Sequence, residues 1–134
     1  MTSAWPDTGG MAGVTAAGGS RRGGGSLPVF SVRVAEEDGQ TVLWAAGDLD
    51  FTTAALLEDA LSGARTGPGQ GVTVDVSRLG FIDAGSVRLL MAAHQRRRGS
   101  GGPGLRVRGA SGVVRRMLEI MQFTAVQLLS SSRN

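Results

Sequence analysis

The chain has no cysteine, no lysine, no tyrosine and a single histidine. Without cysteine there can be no disulfide and no thiolate metal site, a composition that fits a reducing cytoplasm. The lone His94 has no clustered ligand beside it, so no metal site is expected. Its place next to Met91 and Ala93 suits a half-buried helix residue, and no nucleophile-elbow sequence offers it a serine to activate. Aromatic residues make up only 4% of the chain, so a core has to be built from Val, Leu, Ile, Ala and Met. No apolar run approaches the ~20 residues of a membrane span. Nor does a compact apolar segment near the N-terminus mark a secretory signal. The expected setting is cytoplasmic, away from membranes.

Arginine and glycine are what the chain has in plenty. All 14 basic residues are Arg, set against 11 acidic ones, for a net charge of +3. So small an excess does not argue for a nucleic-acid partner, and Arg96-Arg97-Arg98 and Arg115-Arg116 read as solvated helix faces. At 134 residues, 41% of them hydrophobic, the chain suits one domain. Residues 1–27, rich in Gly, Ala, Ser and Thr without apolar periodicity, read as a disordered tail, leaving 28–134 as the folded unit.

Beyond Pro28, Phe30, Val32 and Val34 alternate with polar neighbours, the pattern of a half-buried strand. Asp38-Gly39 supplies a turn, and Val42, Trp44 and Ala46 continue the alternation on the way back. Thr52 or Thr53 can cap a first helix with an apolar stripe of Ala54, Leu57, Leu61 and Ala64. "VTVDVS" is a strand. A second helix follows "FIDAGS", with Val87, Leu90, Met91 and His94 on one side. "LRVRG" is a short strand, and Ser111 caps a third helix carrying Val114, Met117, Leu118 and Met121. Ala125 to Leu129 reads as a weak last strand. Strands joined by helical crossovers run parallel, so the fold class is α/β with an antiparallel hairpin at its start. The polar strand positions Thr73, Asp75, Arg106 and Arg108 indicate that the helices share the other face.

Catalysis finds little support, and no cofactor is expected. The Gly-rich stretches at 67–71 and 99–104 lack the Lys-Ser/Thr ending of a phosphate loop and lie at the wrong end of the sheet for one. The strand-to-helix junction at Asp83–Ser86 stands instead where open α/β sheets place functional groups. The hairpin exit comes to the same end, so Asp48, Asp50, Thr52, Asp83 and Ser86 are expected in one polar patch. A helix cap at Asp83 or Ser86 is compatible with that role.

Four landmarks in register, Gly47-Asp48-Leu49-Asp50, Val74-Asp75-Val76-Ser77, Phe81-Ile82-Asp83 and Val114-Arg115-Arg116-Met117-Leu118, resemble the STAS domains of bacterial anti-sigma factor antagonists. The likeness covers about residues 29 to 130. It implies a STAS fold: a small, mostly parallel sheet with an N-terminal hairpin and about three to four helices mainly on one face. It also implies a binding module and not an enzyme. Such a module engages an anti-sigma factor, often a serine kinase, and so frees a sigma factor for transcription. The implied partner-binding residues are Asp48, Asp50, Thr52, Asp83, Ala84, Gly85, Ser86 and Arg88, in a monomer or weak dimer. The family's phosphoacceptor position falls on Gly85, which leaves Ser86 as the candidate acceptor, turned ~100° along the helix. The alternative is a STAS scaffold or regulatory subunit of a lipid-transport or stress-signalling complex, with no sigma factor.

Overall fold

Alternation and turn chemistry set the hairpin that begins the sheet. A computed structural model describes residues 16–17, 30–64 and 70–123. Ala16–Ala17 (β1) pair antiparallel with β2 (Phe30–Glu37), Ala16 opposite Val32. These two residues lie within the stretch read as a disordered tail and are part of the sheet; the rest of 1–27 is outside the described residues. β2 turns back into β3 (Gln40–Leu49) through Asp38 and Gly39, both at positive φ, the backbone of a tight hairpin turn. α1 (Ala54–Gly63) then crosses to β4 (Val72–Ile82), and α2 (Ala84–Gly99) to β5 (Leu105–Arg108), before α3 (Gly112–Ile120). β3, β4 and β5 are mutually parallel, and the strands lie in chain order from β1 to β5. The expected strand at Ala125–Leu129 lies outside the described residues.

All three helices pack on one face. Phe30 and Val32 of β2, Leu43 and Ala45 of β3, Val72, Val74 and Val76 of β4 and Leu105 and Val107 of β5 meet Leu57 and Leu61, Val87 and Leu90, and Val114 and Leu118 in a single core. The return strand departs from expectation here. Register places Ala45 opposite Val32 and Leu43 opposite Val34, so Leu43 and Ala45 enter the core. Val42 and Trp44 are buried on the other face, where the Arg108 guanidinium lies 5.0 Å from the Trp44 ring. That second face also carries the four polar positions, but Thr73 and Asp75 are buried there. Asp75 Oδ2 accepts from Arg108 Nε at 2.8 Å, and Arg108 also pairs with Glu37.

β4 is longer than the sequence pattern suggests because it carries two extra residues relative to β3. Between the Trp44–Asp75 and Ala46–Arg78 pairs β3 advances two residues and β4 three, and Gly80 is passed over between Leu79 and Phe81. Each bulge turns the strand, so Leu79 and Ile82 stay in the core while Phe81 faces water. The Ser77 amide, next to the first bulge, donates to Asp75 Oδ1 at 2.9 Å.

His94 is half-buried, as expected, and its Nδ1 accepts the Leu105 amide at 3.0 Å. Gly104, at φ +90°, lies so close beneath it that an added Cβ would sit 2.5 Å from the ring. Arg97 is not a solvated charge: it donates to the carbonyls of Leu61 and Ala64 and closes the C-terminal end of α1.

Candidate functional site

The first two strand-to-helix turns at the carboxyl end of the sheet, β3 to α1 and β4 to α2, are built on aspartates. In the first, Asp50 Oδ1 accepts the Thr52 amide at 2.9 Å and the Thr52 hydroxyl at 2.6 Å. The Thr52 hydroxyl, opposed by partial loss of hydration and helped further by the Thr52 and Thr53 amides and the Thr53 hydroxyl, holds the Asp50 carboxyl below its ordinary value. Thr53, the residue before α1, makes no side-chain cap bond to the helix. Its buried hydroxyl donates to Asp48 O at 2.8 Å and accepts the Asp50 amide at 3.0 Å, so it braces the turn instead. Ser111 likewise precedes α3 without a side-chain cap.

In the second turn Asp83 caps α2, its Oδ1 accepting the Ser86 amide at 2.8 Å. The two turns meet at one atom. Leu49 O accepts the Asp83 amide at 3.1 Å and the Ser86 hydroxyl at 3.3 Å.

The expected residues therefore divide. Asp48, Asp50, Thr52, Asp83 and Gly85 stand at the surface or half-exposed on these joined turns, and Ala84 is half-buried beside them. Arg88 is exposed on α2 without a bond to the cluster. Ser86, the candidate phosphoacceptor, lies apart from these: it is 1% exposed and its hydroxyl donates to Leu49 O. The 100° rotation that separates it from Gly85 turns it into the core. Gly85 is exposed, and an added Cβ there would meet only Asp83 Oδ1, at 3.8 Å.

Two residues that the sequence reading passed over stand out here. Phe51 is 86% exposed and Phe81 40%. Phe51 had a legible signal, as a lone aromatic between two turn residues with no apolar period to place it. Phe81 did not, because only the bulges turn it outward. Among the described residues no group of His, Cys, Asp and Glu side chains is placed to hold a metal, and no helix is long and apolar enough to cross a membrane.

The family model described as "Mlab, STAS domain" matches residues 32–130. No curated protein matches the chain. Among solved structures, an anti-sigma factor antagonist from Mycobacterium paratuberculosis is similar at 23% identity and a TM-score of 0.61, over 70% of this chain and 79% of that one. The anti-sigma factor antagonist SpoIIAA in its unphosphorylated form is similar at 16% identity and a TM-score of 0.55, over 71% and 84%.

Proposed function

This chain belongs to the STAS domain family and has its SpoIIAA-like fold, and from that footing we propose that it is an anti-sigma factor antagonist. It binds an anti-sigma factor, of the serine-kinase kind, through the Asp48–Thr53 and Asp83–Arg88 turns, and so releases a sigma factor for transcription. The observation that carries this is the junction itself, where two turns locked on Leu49 O present the Asp50 and Asp83 carboxylates and an exposed Phe51. The role is one of binding and not catalysis. Phosphorylation at Ser86, the candidate acceptor, would require its buried hydroxyl to leave Leu49 O first. Net charge and the capping use of Arg97 fit a chain without a nucleic-acid partner.

Two features favour a second reading, a regulatory subunit of another assembly with no sigma factor. The position that the resemblance assigns to the phosphoacceptor is Gly85, and the matching family model is described by Mlab and not by a sigma-factor role. Calorimetric titration of the full chain against the kinase-type anti-sigma factors of its own genome separates the two. One of them is expected to bind, with affinity reduced in Asp83→Ala. If none binds, the antagonist role fails.

A further inference from the structure

Resting on the reading of the junction as a docking site, we propose that its partner presents an apolar pocket ringed by Lys or Arg, into which Phe51 inserts with Phe81 at its edge. The chain has four phenylalanines. Phe30 and Phe123 are buried at 0% and 5%, whereas Phe51, on the first turn, and Phe81, near the end of β4 just before the second, are left to water. An aromatic so exposed costs solubility and adds little to the fold. Buried aromatic anchors dominate binding energy at interfaces.

The surrounding charge names the partner's sign. Arg is abundant in this chain, and yet the ion pairs among the described residues are Arg108 with Glu37 and Asp75, and Arg115 with Glu119. Among the described residues, none of these ion pairs involves Asp48, Asp50 or Asp83. Asp50 and Asp83 each turn one oxygen to a donor of their own turn, leaving the other to an outside group. Asp48 stands opposite Phe81 in the ladder, so an acid and an aromatic share the same patch. Phe51 itself directly follows Asp50. An incoming basic rim would meet the Asp50 and Asp83 carboxylates, each already oriented by a donor of its own turn, which favours fast, salt-sensitive association.

The test uses isotope-labelled full chain followed by NMR, titrated with two amphipathic helical peptides of equal length and identical Leu face. One is flanked by Arg and the other by Glu. The Arg-flanked peptide is expected to shift the amides of residues 48–53 and 81–86. Its binding should weaken at least ~10-fold in Phe51→Ala, and fall as salt rises from about 0.05 to 0.5 M. Ile120→Ala, which removes an exposed apolar side chain on α3, should leave binding unchanged. Equal binding of the Glu-flanked peptide, no binding of the Arg-flanked one, or full affinity in Phe51→Ala overturns the proposed partner chemistry. If the shifts nevertheless map to the two turns, the docking site stands. Shifts mapping elsewhere with both peptides overturn the docking site itself.

Discussion

Ser86 has its hydroxyl on the Leu49 carbonyl and its side chain sealed from water, so substitutions there act first on folding. Ser86→Ala loses one hydrogen bond, at a cost of about 0.5–1.5 kcal/mol. Ser86→Asp buries a carboxylate against a carbonyl oxygen and should cost several times more, about 3 kcal/mol or above. Urea unfolding measures both, and an Asp variant as stable as the parent would refute the burial. Asp50 behaves differently because its carboxylate faces water. Its folded-state value lies below 3.8, so the unfolded chain takes up the proton first as pH falls. Its small contribution is complete above that value and is lost as pH drops through the folded one. From neutral pH down to about 5 that contribution should thus stay constant. Below 3.8 the parent should decline more steeply than Asp50→Asn, as thermal unfolding across pH would show. The aspartates of both turns were legible in the sequence, as was the helix start after Asp83. The depth of Ser86 was not, since one residue of helical rotation decides between water and core.

Where β5 begins, a helix, a loop and a strand converge on Gly104. The Leu105 amide reaches His94 only because nothing stands between the ring and the backbone. Gly104→Ala meets two obstacles, a positive φ and a Cβ inside the ring's contact distance. It should lower stability by about 2 kcal/mol or more. Adding His94→Ala should relieve the clash but not the backbone strain, so the double variant should cost less than the sum of the singles. Denaturant midpoints of the four chains check this, and strict additivity would show that the ring is not the obstacle. The same elements mark where sequence patterns run out. Residues 42–46 are apolar at every position, so alternation cannot choose between Val42/Trp44 and Leu43/Ala45. The choice belongs to cross-strand register, fixed by the turn at Asp38-Gly39. The two β4 bulges are equally silent, because nothing in "VTVDVSRLGFI" announces an extra residue until its partner strand is beside it.

As a whole, the molecule is a sheet covered by three helices on one face, with short β1 pairing along the edge of β2. Two paired residues contribute little beside the core. A chain starting at Leu27 should therefore unfold within about 5 °C of the full one. A larger loss would mean that residues 1–27 do more for the fold than that edge pairing. The order of parallel strands was legible because short Gly-rich breaks separate each helix from the next strand. The covering of the second face was not, since Asp75 is polar in the sequence yet buried beside Trp44, bonded to Arg108 and Ser77. At the far end, Leu49 O accepts from both Asp83 and Ser86 and is the pivot on which the two turns are pinned. Any ligand that grips Phe51 pulls on this oxygen through two peptide units, and so loads the start of α2 through the backbone as well as by contact. The Asp83 amide thus becomes a strain gauge for occupancy: its hydrogen–deuterium exchange should slow when a partner tightens the pivot, and an unchanged rate at saturation would mean that the turns move independently.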